Sequence, residues 1–124
     1  MSELAAALDK AIAAHGMWKR RLKNAMDSGQ SDVAPQTVAA DNNCDFGKWL
    51  YSKATLLSTG DKGADFETVK KLHADFHRCA ASTLDKALKG DRQGCECDMG
   101  LTGRFTDAST KLTGAMMTWK RRVA

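Results

Sequence analysis

Apolar residues recur every three or four positions along most of this chain, and each such stretch predicts a helix with one buried face. From Ser2 to about Asp27 the stripe is Leu4, Leu8, Ile12, His15, Trp18, Leu22 and Met26, with a histidine standing in register among hydrophobes. Ser28-Gly29-Gln30-Ser31-Asp32 ends that helix, and the stretch holding the only proline, Pro35, reads as irregular up to Asn43. A shorter helix is expected from about Cys44 to Leu57, capped by Asp41, Asn42 or Asn43. Ser58-Thr59-Gly60-Asp61-Lys62-Gly63 breaks the chain again. The third helix, about Asp65 to Lys89, carries Phe66, Val69, His73, Phe76, Ala80, Leu84 and Leu88. After Gly90-Asp91-Arg92-Gln93-Gly94, a last helix places Leu101, Phe105, Ala108, Leu112, Met116 and Trp119 on one face and ends in Lys120-Arg121-Arg122, which complements a helix C-terminus. No alternating strand pattern, repeat or low-complexity tract interrupts this. The expected fold is all-α: an antiparallel four-helix bundle of three long helices and one short cysteine-bearing helix, forming a single domain over residues 1–124.

Size and charge narrow the field without naming a function. A chain of 124 residues can bury a core without staples, so a metal is not demanded by size. The opening Met-Ser-Glu-Leu-Ala-Ala-Ala-Leu-Asp-Lys lacks the apolar run of a signal peptide, and no later segment reaches membrane-spanning length. A soluble, cytoplasmic protein with reduced thiols is therefore expected. The net charge is +4, but the 19 basic residues are dispersed among 15 acidic ones, which argues against nucleic-acid binding.

The histidines carry the chemistry. The chain has only three, His15, His73 and His77, and all lie in or beside apolar stripes. Residues four apart on a helix lie nearly above one another, so His73 and His77 offer two nitrogens to one side. His15 from the first helix and Cys44 from the start of the second complete three nitrogens and one sulfur, a tetrahedral set suited to Zn2+. Twenty-eight residues lie in each of the gaps His15 to Cys44 and Cys44 to His73, which suits a helix out and back rather than a zinc knuckle. A cysteine at a helix N-terminus also faces the positive end of the dipole, which favours its thiolate. The plainer readings are histidines hydrogen-bonded in a core and a cysteine acting as a small hydrophobe. Burying three imidazoles without a shared partner, however, leaves several polar nitrogens to satisfy.

The runs His15-Gly16-Met17-Trp18, Cys44-Asp45-Phe46-Gly47-Lys48-Trp49-Leu50 and His73-Ala74-Asp75-Phe76-His77 resemble the chemoreceptor zinc-binding domain family. The likeness extends to the last helix, through Met99-Gly100 and Phe105. It implies a bacterial, cytoplasmic four-helix domain, often a homodimer, that holds zinc through His15, Cys44, His73 and His77. It also implies a sensor of zinc or oxidants, working with a chemoreceptor or diguanylate cyclase signalling module in cis or in trans, in chemotaxis or cyclic-di-GMP signalling. The chain is then either free-standing or one module of a larger protein.

Four protein ligands leave no open position for substrate, so no enzyme is expected. Two further readings remain beside the sensor. A purely structural zinc protein has the same ligands, and a di-iron bundle has the same helices but needs inward carboxylates. Cys95-Glu96-Cys97-Asp98 is incomplete as a second metal site, and Cys79 reads as a packing residue. The Trp18-Lys19-Arg20-Arg21 and Trp119-Lys120-Arg121-Arg122 runs read as solvated helix ends, each with a core tryptophan.

Overall fold

A computed structural model describes residues 3–40, 44–52 and 63–123. Among these, every regular element is helical: α1 (Glu3–Gly16), α2 (Trp18–Ser28), α3 (Pro35–Ala39), α4 (Asp45–Ser52), α5 (Gly63–Leu88), α6 (Arg92–Met99) and α7 (Arg104–Val123). The long α5 is the axis of the fold. It packs on α7, α3, α2 and α6, while α1 lies against α7 and α4.

The apolar stripes become the core. Leu8, Leu22, Val69, Phe76, Leu112 and Met116 are fully buried, as is Trp119, whose ring meets Phe66 edge-on with centroids 6.3 Å apart. The bundle is therefore built largely by the faces that periodicity predicts on the long helices.

Three boundaries differ from expectation. The first helix is divided at Met17, where the Met17 amide bonds the Ala14 carbonyl at 3.3 Å, one residue short of the α-helical span. Gly16, a poor helix former, directly precedes that tightened turn. The stretch read as irregular contains α3, with Pro35 in its first turn, where a missing amide hydrogen costs nothing. The last helix is two: α6 ends at Met99, a turn follows, and α7 starts at Arg104. Leu101, placed on the buried face by periodicity, is 98% exposed in that turn. Gly103 is required there, because a Cβ on it would collide with the Cys97 and Asp98 carbonyl oxygens. The Gly29 stop is as expected: it caps α2 in the left-handed region at φ 73°, its amide bonded to the Ala25 carbonyl at 2.8 Å. The expected caps Asp41, Asn42 and Asn43, and the end of the second helix up to Leu57, lie outside the described residues.

Ion pairs tie the helices at their ends. Lys120 meets Asp9 at 2.5 Å, joining α7 to α1, and Arg92 meets Asp27 at 2.8 Å, joining α6 to α2. These pairs are substantially exposed and contribute little energy. More consequential is Asp98, which is buried and accepts hydrogen bonds from Thr83 Oγ1 at 2.9 Å and Lys86 Nζ at 2.8 Å. It clamps α6 to α5.

Candidate metal centre

α5 presents His73 and His77 one turn apart, α1 presents His15 in its last turn, and Cys44 stands just before α4. The local reasons are simple. The imidazoles occupy stripe positions and so turn inward, while the Cys44 carbonyl accepts the Lys48 amide at 3.0 Å, starting the helix. The Gly47 amide also donates to Cys44 Sγ at 3.3 Å, so the sulfur serves as the cap acceptor of α4.

All four predicted residues converge. Their donor atoms lie within 4.8 Å of one another, the histidines buried and the cysteine half-buried. His73 Nε2 is 3.1 Å from His15 Nε2 and 3.1 Å from His77 Nε2. Cys44 Sγ is 3.3 Å from His73 Nε2 and 3.5 Å from His77 Nε2.

These four spacings are close to the edges of a tetrahedral cation site, and all the donors lie within 4.8 Å of one another. With Zn–N near 2.05 Å and Zn–S near 2.3 Å, tetrahedral edges are about 3.3 Å for N to N and about 3.6 Å for N to S. The opposite ring nitrogens supply a second argument. His15 Nδ1 donates to the Ala11 carbonyl at 2.7 Å and His77 Nδ1 to the Val38 carbonyl at 2.9 Å. Both rings thereby carry their proton on Nδ1 and aim an Nε2 lone pair inward, the tautomer a metal ligand needs. His73 Nδ1 is buried with no hydrogen-bond partner, so that ring is held by packing. Phe46 lies edge-on to it, centroids 5.1 Å apart.

Burial sets the charge state. Desolvation lowers the His15 pKa to about 4, partly opposed by the Ala11 hydrogen bond, and lowers His73 to about 2, helped by the neighbouring histidines. Both rings are neutral at pH 7 and available as ligands. For Cys44, burial pushes the thiol up, while amide hydrogen bonds such as that of Gly47 pull it down. The thiolate-favouring helix terminus is thus present, but burial outweighs it until a cation compensates. His15, Cys44, His73 and His77 would hold zinc as a closed four-donor site, and the metal would supply charge compensation for the thiolate and a cross-link between α1, the Cys44 segment and α5.

The profile of the chemoreceptor zinc-binding domain matches residues 15–84, more than half of the chain. The chain belongs to that family. The matched stretch begins at the first of the four donors and contains the other three. Searches among curated proteins and among solved structures returned no match.

Within this chemoreceptor zinc-binding domain the remaining cysteines are separate from the centre. Cys95 is buried and bonded through its thiol to the Thr83 carbonyl at 3.4 Å, Cys97 is exposed, and Cys79 is half-buried against the core. Cys95 and Cys97 thus lie on different sides of α6. Both runs of basic residues begin in core tryptophans, Trp18 and Trp119, with the Arg21 guanidinium 4.0 Å above the Trp18 ring. No helix among the described residues is long and apolar enough to cross a membrane.

Sequence reasoning missed the carbonyls of Ala11 and Val38 that orient two of the ligands. Backbone acceptors carry no residue signature. The aromatic wall of Phe46 and Phe76 around His15 was more accessible, since Phe46 lies in the quoted motif and Phe76 adjoins His77.

Proposed function

We propose that the protein is a zinc-binding sensory domain, cytoplasmic and non-catalytic, whose output depends on whether Cys44 remains a ligand. The observation that carries this reading is the convergence of His15, Cys44, His73 and His77, with three donors on α1 and α5 and one just before the short α4. The three imidazoles form a fixed wall. Cys44 contributes the only oxidisable donor.

Oxidation by a peroxide is chemically direct: Sγ forms a bond to one peroxide oxygen, the O–O bond breaks, and hydroxide leaves, giving the sulfenic acid. That change removes the thiolate from the donor set, as metal loss removes the centre. Either event releases the link from the Cys44 segment to α5 and frees the region from about Pro35 to Leu57 to move. The signal then passes through a dimer contact or a chemoreceptor or diguanylate cyclase partner, of which the chemoreceptor alone is in the family's name. A closed four-donor site also suits a purely structural zinc protein.

Metal analysis with hydrogen exchange separates the two. The sensor reading expects about one zinc per chain, lost on mild oxidation, with faster exchange across the region from about Pro35 to Leu57 after oxidation or chelation. Zinc affinity unchanged in Cys44→Ser, or exchange indifferent to both treatments, refutes it.

A further inference from the structure

We propose that a groove between α1 and α4 binds a small amphipathic anion, an aliphatic or aromatic body bearing one carboxylate, and that the bound molecule covers Cys44. The groove encloses about 670 Å³, within the range of ligand sites. One wall is made of short side chains on α1, Ala7, Ala11 and Ala14, which leave room beside the helix. The facing wall is aromatic: Phe46 and Trp49 stack with centroids 5.9 Å apart and planes 21° from parallel. Trp18 and Arg21 line the same groove, as do His15, Cys44 and His77.

Charge selects the occupant. Lys10 and Arg21 line the groove with one carboxylate, Asp45, and the Arg21 guanidinium is already engaged by Asp32 at 3.5 Å and by the Trp18 ring, which leaves Lys10 to select by charge. A cationic ligand would meet the Lys10 ammonium, and a wholly polar anion would leave the alanine and aromatic walls facing water. An anionic head near Lys10, with an apolar body laid between Ala14 and Trp49 toward Trp18, satisfies both features. Binding of this kind does not depend on metal, whereas its regulatory consequence, shielding of the sulfur, rests on the reading of Cys44 as the responsive ligand.

The test uses dodecanoate as probe and the full zinc-loaded chain, with tryptophan fluorescence as readout and peptide-resolved alkylation by iodoacetamide as a second. A saturable fluorescence change is expected, lost in Ala14→Trp, which fills the groove from an exposed position, and weakened about threefold or more in Lys10→Glu. Circular dichroism checks that both variants fold. Dodecanoate should slow alkylation of Cys44 and leave that of exposed Cys97 unchanged. No saturable change, or one that survives Ala14→Trp, overturns the proposal. So does sedimentation in which the wild type is a dimer, Ala14→Trp is a monomer, and dodecanoate affects neither, which gives the groove to a second copy. Should the zinc and oxidation response fail instead, the fluorescence titration still stands, so the two failures are distinguishable.

Discussion

His77 Nδ1 donates to the Val38 carbonyl at 2.9 Å, so a ligand on α5 is oriented by the backbone of α3. The bond does two things. It fixes the ring tautomer, and it gives the metal centre a direct link to an element that carries no ligand. Long-range nitrogen–proton NMR correlations should show His77 and His15 protonated at Nδ1 in the zinc-loaded protein. An Nε2-protonated His77 would mean the Val38 bond does not orient the ligand.

Cys44→Ser should cost more in zinc affinity than the loss of any group that only hydrogen-bonds a ligand. The hydroxyl does not ionise near neutral pH, and it removes the only anionic donor among the four. Loss of an outer-shell partner typically costs 10–100-fold, so a loss above about a hundredfold is expected. Competition with a chromophoric chelator measures it. The fold should survive, since the sulfur is only half-buried and the core on α5 and α7 is elsewhere.

The metal-free protein should lose stability in mild acid. Burial holds His15 at about 4 and His73 at about 2, both below the ordinary 6.5. The unfolded chain therefore binds protons at these sites as pH falls through 6.5, while the folded chain does not. Stability falls with falling pH, by about 1.4 kcal/mol per unit for each ring. Both rings contribute down to about pH 4, and below that only His73 does. Urea unfolding of chelator-treated protein at pH 7.5 and pH 5.5 should differ by about 2–3 kcal/mol, the lower pH being less stable. Equal stabilities would show that the rings are solvated when the metal is absent.

Much of this fold and centre was legible in the sequence, for a definite reason. His15 and His73 sit at positions that periodicity alone turns inward, so the helical register that predicts Leu8 or Val69 as core also predicts them, whereas His77 follows from its spacing to His73 and Cys44 from its place at a helix start. What was illegible lay where periodicity runs through a break. Leu101 is spaced one turn from Phe105 and so reads as its continuation, yet the Gly100–Gly103 turn carries it into solvent. Pro35 gave an ambiguous signal, because the residue that stops a helix also starts one. Gly16 lowered helix propensity without ending the stripe, so the division at Met17 left the buried face intact.

Asp98 is the other feature no local pattern announces, since its partners Thr83 and Lys86 lie 15 and 12 residues away, across the turn between α5 and α6. A carboxylate on a short helix ordinarily faces water. This one is buried, and it is the acceptor for a hydroxyl and an ammonium at once. Asp98→Ala leaves Thr83 without an acceptor and Lys86, itself only partly exposed, without its counter-charge. The expected cost is about 2 kcal/mol, below the cost of breaking a fully buried pair because Lys86 reaches some solvent. Since Asp98 acts on Thr83 and Lys86, six and nine residues beyond His77 on α5, and touches no ligand, zinc affinity should stay within about twofold of wild type. Denaturant midpoints and chelator competition, measured on the same preparations, check both halves. A fall in zinc affinity matching that of Cys44→Ser would mean instead that the α6 clamp and the metal centre form one cooperative unit.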